Sequence, residues 1–305
     1  MEASVASLSP ETDELVIYDS VESIREAVAN ARRKGLRIGV VPTMGALHDG
    51  HMSLIRAARS ECEFVVVTIF VNPAQFGPNE DLSRYPRPFE ADVNACRRLG
   101  VDAIFHPAPQ VVYPADYKTF VDVEELSGMW EGAFRPGHFR GVATVVLKLF
   151  LMIQPDVAYF GQKDYQQQLI IRRMCKDLNV PVQIRVCPIV RDPDGLALSS
   201  RNVYLSPSER NAALTLSRSL HFAEQELQAD SVEIGAVKHL MQQMFDTVDG
   251  VAVDYIAIAD PETLAELAAP QEKMVVLLAA RVGQTRLIDN CVVTRTDSMA
   301  KLMLE

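Results

Sequence analysis

The chain has 305 residues, enough for two domains at the usual size of about 100–200 residues each. It is 48% hydrophobic, so substantial cores are expected, yet no stretch reaches the roughly 18 apolar residues that span a bilayer. A net charge of −10 argues against a nucleic-acid-coating surface, leaving room only for a local basic pocket.

The N-terminus is polar and acidic (Glu11, Asp13, Glu14), unlike a secretion signal or an arginine-rich transit peptide; residues 1–13 read as a frayed arm. Five cysteines (62, 96, 175, 187, 291) include no C-x-x-C pair, which fits reduced thiols in a cytoplasmic protein.

In chain order, 20–34 reads as a helix and 36–41 as a strand. Helix 51–60 follows, then the β-branched and aromatic run 64–71. Helix 89–99 ends at Gly100, a good C-terminal cap. Strand 101–105, a long apolar helix over 142–152 stopped before Pro155, strand 157–160, helix 165–178 and strand 182–190 complete this part. Strands apolar on both faces, alternating with helices, indicate a Rossmann-like α/β domain with a covered parallel sheet over 1–190. The turn cluster Arg191-Asp192-Pro193-Asp194-Gly195 marks the boundary. Beyond it, Ser206-Pro207-Ser208-Glu209 has the residues of a helix start with a capping box. Helices to about 229 and over 232–247, then strands 251–259, 273–281 and 286–293, make a smaller α+β domain over 191–305.

Polar motifs follow the strands: Pro42-Thr43-Met44-Gly45, Asn72-Pro73-Ala74-Gln75, His106, Gly161-Gln162-Lys163-Asp164 and Arg191. Ligands of open parallel sheets bind outside the carboxyl ends of the strands, so five loops are expected to meet at one site. The most informative stretch is 42–51, which ends in His48-Asp49-Gly50-His51 at a helix start. Unpaired N–H groups and the helix dipole suit phosphate there, and histidines three apart share a face. A metal pair and simple capping are the alternatives. Lys163 and Asp164 suit phosphate and a sugar hydroxyl, or an ordinary solvated helix start. Ser199-Ser200-Arg201-Asn202 can stabilise a transferring phosphoryl group, or be a polar linker. Gln75 and Gln167 suit a polar substrate, although at least one glutamine of Gln166-Gln167-Gln168 is expected at the surface. Asp92 suits magnesium, or an early-turn helix charge. Residues 135–141 read as a loop, a mobile lid or plain surface. No G-x-x-x-x-G-K-[ST], G-x-G-x-x-G or G-x-S-x-G motif is present.

Six ordered segments carry a closer resemblance. They are 42–51, Ile69-Phe70-Val71-Asn72-Pro73-Ala74-Gln75-Phe76-Gly77, Tyr85-Pro86-Arg87, Arg135-Pro136-Gly137-His138-Phe139-Arg140-Gly141-Val142, Phe160-Gly161-Gln162-Lys163-Asp164-Tyr165-Gln166-Gln167 and Leu198-Ser199-Ser200-Arg201-Asn202. Together, over about 15–295, they closely resemble the pantothenate synthetase (pantoate–β-alanine ligase) family of HIGH-type nucleotidyltransferases. The resemblance implies an ATP-dependent condensation of pantoate with β-alanine through a pantoyl adenylate, releasing AMP and pyrophosphate. It implies that His48, His51, Lys163, Ser199, Ser200 and Arg201 meet the ATP phosphates and carry the chemistry. Pro42, Met44, Gly161, Asp164, Val190 and Leu198 would complete the ATP site, with Gly161 and Asp164 on the ribose. Met44, Phe70, Gln75 and Gln167 would bind pantoate, and Asp92 would support Mg²⁺. A homodimer is implied, with the second domain over the site as a lid. Ala91 stands where relatives often have a second acid, Leu198 replaces a common methionine, and Gln162 a common glutamate. A plain nucleotidyltransferase and a nucleotide-binding module with a degenerate site are the rival readings; the segments around Gln75 and Gln167 favour the ligase, and the intact His48, His51, Lys163 and Arg201 disfavour the module.

Overall fold

A computed structural model describes residues 15–78, 80–229 and 231–295. The frayed arm expected over 1–13 lies outside the described residues. The strands are β1 (Val16–Tyr18), β2 (Ile38–Thr43), β3 (Phe64–Ile69), β4 (Ala103–Phe105), β5 (Val157–Gly161), β6 (Gln183–Cys187), β7 (Val251–Ala259), β8 (Lys273–Val282) and β9 (Thr285–Thr294). The helices are α1 (Val21–Arg33), α2 (Asp49–Glu61), α3 (Phe89–Arg98), α4 (Pro109–Val112), α5 (Trp130–Phe134), α6 (His138–Ile153), α7 (Tyr165–Asp177), α8 (Pro207–Glu226) and α9 (Ile234–Asp246).

The first six strands form one parallel sheet in the order β1-β4-β3-β2-β5-β6. The chain runs outward from β2 through β3 to β4, then returns to the other side of β2 for β5 and β6. The order therefore reverses between β2 and β5, which opens a crevice at their carboxyl ends. Val40, Val41, Val66, Val67, Ala158 and Tyr159 are buried in the middle of this sheet, and helices cover both of its faces. Local signals match this frame. The Ser20 hydroxyl caps α1, and Gly100 takes a φ of +68° at the end of α3. Ser206 and Glu209 form the expected capping box of α8.

Strands β7-β8-β9 form a separate antiparallel sheet. Met274, Val276, Leu278 and Ala280 on β8 pack with α8 and α9, whereas Val275 and Leu277 on the opposite face join the core of the first layer. Burial on both faces explains the nearly continuous apolar run, because a strand sends alternate side chains to opposite sides. The expected Rossmann-like sheet and smaller α+β unit are both present.

Four local readings change. The β1 strand was not expected; it has three residues at the sheet edge, with Val16 and Ile17 exposed. Strand β6 is shorter than 182–190. Residues 135–141 are not all loop, because α6 begins at His138, a turn before the expected 142. This first turn packs directly on the 72–75 segment, which Gly141 permits: a Cβ there would lie 2.2 Å from the Ala74 carbonyl oxygen. Finally, no glutamine of 166–168 is a surface residue: Gln166 and Gln168 are buried, Gln167 is half-buried, and Gln166 bonds the Leu126 and Met129 carbonyls. Among the described residues no helix is long and apolar enough to cross a membrane.

Candidate active site

A cavity of about 230 Å³ opens at the crevice between β2 and β5. Its floor comes from the turn after β2. Thr43 Oγ1 donates to the Thr68 carbonyl at 2.6 Å and accepts from Gly45 N–H at 3.1 Å. Gly45 and Ala46 follow with φ of +79° and +52°. A left-handed alanine is costly, and here Asp92 holds it: its carboxylate accepts from Ala46 N–H and Leu47 N–H, both at 2.8 Å. The turn leaves Met44 on the cavity wall and delivers His48 to the start of α2.

His48 Nδ1 accepts from Gly50 N–H at 3.1 Å, and His51 Nδ1 accepts from His48 N–H at 3.4 Å. The rings lie 4.2 Å apart. Gly50 leaves room for the His48 ring, since a Cβ there would sit 2.8 Å from it and push it aside. Burial, with Lys163 nearby, pushes His48 down to about 4. Burial, then His48 and Lys163, pushes His51 down to about 3. Both rings are therefore neutral at pH 7. With Nδ1 used as an acceptor, each keeps an Nε2–H to offer a ligand. Capping and ligand binding are thus compatible, not alternatives.

Gly161, Lys163, Asp164 and Gln167 reach the cavity from the end of β5 and the start of α7. Asp164 makes no capping bond, and Lys163 makes no ion pair among the described residues. A residue of the second sheet sets this turn. Asn290 on β9 donates to the carbonyls of Gln162 and Lys163 at 3.1 and 2.8 Å, and its own oxygen accepts from Gln162 at 3.3 Å.

Ser199, Ser200 and Arg201 close the cavity from the turn before α8, with Val190 and Leu198 beside them. Leu198 N–H bonds the Val190 carbonyl at 3.0 Å. Ser199 Oγ accepts from Arg201 N–H at 3.2 Å, and Arg201 itself pairs with Asp81. Phe70, Asn72 and Gln75 also line the cavity, together with Val142, Val145, Val146 and Leu149 of α6. Asn72 Nδ2 donates to Gln75 Oε1 at 3.0 Å, fixing that amide. His138 donates Nδ1 to the Gln75 carbonyl at 2.8 Å, and its Nε2 accepts from Arg135 at 3.1 Å. Burial, with Arg135 beside it, pushes His138 down to about 4. The one cavity thus combines the cations Lys163 and Arg201 and two neutral histidines with amide groups and an apolar stripe.

Pro42, Met44, His48, His51, Phe70, Gln75, Gly161, Lys163, Asp164, Gln167, Val190, Leu198, Ser199, Ser200 and Arg201 all line this one cavity. Asp92 does not. It is 2% exposed, and both oxygens are taken by the 46–47 amides, so it does not fit the expected role at Mg²⁺. Among the described residues no cluster of three or more His, Cys, Asp or Glu side chains could hold a metal ion. His106 bonds the Ile69 carbonyl, stacks on Phe89 and faces a separate cavity behind Met44. Arg191 pairs with Asp289 instead of entering the site. Four loops therefore converge: those after β2, β3 and β5, and the serine–arginine turn. Asn290 and Tyr85 were not anticipated as site residues; Tyr85 lay in a quoted motif, whereas nothing local marks Asn290.

The family model described as pantoate-beta-alanine ligase matches residues 16–292. A pantothenate synthetase of Moorella thermoacetica is 51% identical over 281 residues, covering 92% of this chain and 99% of the relative. The solved pantothenate synthetase of Thermus thermophilus superposes with a TM-score of 0.86 at 45% identity, over 90% of this chain and 98% of that one. The pantoate-beta-alanine ligase of Francisella tularensis, solved with beta-gamma ATP and β-alanine, gives a TM-score of 0.75 at 36% identity, over 92% and 98%. With the family model, sequence identity and structural superposition all extending over nearly its whole length, the chain belongs to the pantoate–β-alanine ligase family.

Proposed function

We propose that this protein condenses pantoate with β-alanine at the expense of ATP, through a pantoyl adenylate. The observation that carries the reading is a single cavity lined both by His48, His51, Lys163 and Arg201 and by Gln75, Gln167 and the apolar face of α6. In the first step a pantoate carboxylate oxygen bonds to the α-phosphorus of ATP, and the bond to the β-phosphate oxygen breaks, releasing pyrophosphate. In the second the β-alanine amine bonds to the acyl carbon, the bond to the AMP oxygen breaks, and the amine loses a proton.

Neither step needs a protein nucleophile. The protein orients the reactants and stabilises phosphate charge. Neutral His48 and His51 offer Nε2–H donors, Lys163 and Arg201 supply positive charge, and Ser199 and Ser200 add hydroxyls. Gly161 and Asp164 hold the ribose, with Pro42, Val190 and Leu198 around the nucleotide. Gln75 and Gln167 bind the hydroxyls and carboxylate of pantoate, whose two methyl groups suit Met44, Phe70 and the α6 stripe. Mg²⁺ would come with ATP and neutralise phosphate charge, and Asp92, held by the 46–47 amides, would not be its ligand.

We further propose that residues 1–190 hold the nucleotide and pantoate and that residues 191–305 cover them. A cytoplasmic homodimer completes the reading. Its support is the outer edge of β6, next to which Leu178 is 52% and Val186 38% exposed; a second copy would cover such an edge.

The test is product analysis with ATP, Mg²⁺, pantoate and β-alanine, each omitted in turn. AMP, pyrophosphate and pantothenate only in the complete mixture are expected. ADP in place of AMP would mean an acyl phosphate and overturn the adenylate. ATP binding without turnover would leave a degenerate binding module.

A further inference from the structure

Arg201 already holds an anion on one edge of its guanidinium. Its Nε and Nη2 donate to the two oxygens of Asp81 at 3.1 and 3.0 Å, a forked pair on a half-buried guanidinium. The same fork is what suits Arg to a phosphate, so one anion on that face excludes another. Asp81 belongs to the connection between β3 and α3, far from Arg201 in sequence, and its neighbour Glu80 grips a second arginine of the cavity. Arg135 donates Nε and Nη2 to Glu80 at 2.8 and 2.7 Å. The two pairs differ in one respect. Arg135 also has Glu131 at 3.5 Å and the His138 ring, whereas among the described residues Asp81 is the only carboxylate paired with Arg201.

We propose that Asp81 is a positioning residue: it holds Arg201 by its guanidinium fork in the nucleotide-free protein, and the phosphates of ATP take that fork over, releasing the 80–84 stretch. The inference rests on the reading that Arg201 meets those phosphates. Burial alone would raise the Asp81 carboxyl, but the Arg201 guanidinium outweighs it and holds the group below its ordinary range, so the pair is ionised at neutral pH. Several negative charges arriving beside Arg201 repel Asp81 and compete for the same nitrogens. Tyr204 donating to the Arg84 carbonyl at 3.3 Å, and the adjoining Tyr85 with its hydroxyl 3.4 Å from Ser200 Oγ, also tie this region to the serine–arginine turn. Part of the ATP binding energy would be spent on the exchange, weakening ATP binding in return for an Arg201 held ready at the cavity.

The experiment is equilibrium dialysis of ATP against the full chain without pantoate or β-alanine. It compares wild type with Asp81→Asn, Asp81→Glu, Arg201→Gln and the Asp81→Asn/Arg201→Gln pair. Asp81→Asn should bind ATP about fivefold to tenfold more tightly, the scale of a modest coupling. Asp81→Glu should return toward wild type, and the gain should vanish in the Arg201→Gln background. Unchanged or weaker binding by Asp81→Asn, with Arg201→Gln weakened, overturns this proposal alone. A gain that persists without Arg201 is a general charge effect and also overturns it. Arg201→Gln binding ATP as wild type removes Arg201 from the phosphate site and this proposal with it. A second measurement needs no variant: trypsin should cut the wild type after Arg84 faster when ATP is added, and protection or no change counts against the exchange.

Discussion

Asn290, on the last strand of the second sheet, holds the backbone of Lys163 at 2.8 Å through its side-chain amide. A buried amide from one sheet thus sets a turn of the candidate site on the other. Asn290 is 2% exposed and bonds both Gln162 and Lys163 carbonyls, so its removal leaves two acceptors short and the turn loose. Asn290→Ala should slow adenylate formation about tenfold through misplacement of Lys163. Pantoate-dependent exchange of pyrophosphate into ATP measures that step, and circular dichroism should show the fold retained.

Lys163→Ala should lower the same exchange by about 10²-fold or more, the scale of losing one preorganised charge contact. Because Lys163 makes no ion pair among the described residues, its removal should leave the urea midpoint nearly unchanged. Near-normal exchange would remove Lys163 from the phosphate site.

Asp92 should behave as a brace and not as a metal ligand. Asp92→Ala strands the Ala46 and Leu47 N–H groups in a buried place, at a cost of about 1–3 kcal/mol. Urea unfolding should show that loss. Asp92→Asn should lower kcat while the Mg²⁺ concentration for half-maximal rate stays where it is in the wild type. A marked rise in that concentration would restore a metal role.

The two lowered histidines make a pH prediction. His48 titrates at about 4 and His51 at about 3 in the folded protein, against an ordinary value of 6.5. Between these limits the unfolded chain binds more protons than the folded one, so stability rises with pH. Their contribution is fully present above about 6.5 and is lost as the pH falls toward 4. His48→Asn, which keeps a capping side chain, should flatten that acid slope in urea titrations across pH 4–7. The exchange reaction should show no inflection near 6.5 from this pair, since both rings are already neutral there. Such an inflection, absent in His48→Asn, would mean a charged ring.

Gly141→Ala should test the packing of α6 against the 72–75 segment. Its Cβ would meet the Ala74 carbonyl at 2.2 Å, so helix or segment must move. The expected cost is about 1–3 kcal/mol of stability. Gln75 moves with the segment, so the KM for pantoate should rise more than that for ATP in steady-state assays.

Much of this molecule was legible in one dimension, because the signals are local. Strands buried on both faces, such as β3, read as apolar runs, and helices such as α8 carry their caps in adjacent residues. Strand β1 escaped notice because three residues at an edge, two of them exposed, have no period to read. The candidate site residues were marked by their place after strand ends. The sheet order, reversing between β2 and β5, is what brings those loops together.

What the sequence by itself determined is the order of the longer elements, the family and the residue types of the site. Tertiary structure alone decided what those residues touch. Asp92 turns to two backbone amides, Asn290 reaches Lys163 across two sheets, and Asp81 occupies Arg201. Each pair is distant along the chain. Where a side chain points is settled by packing and by which buried polar groups need a partner, and neither is encoded in neighbouring residues.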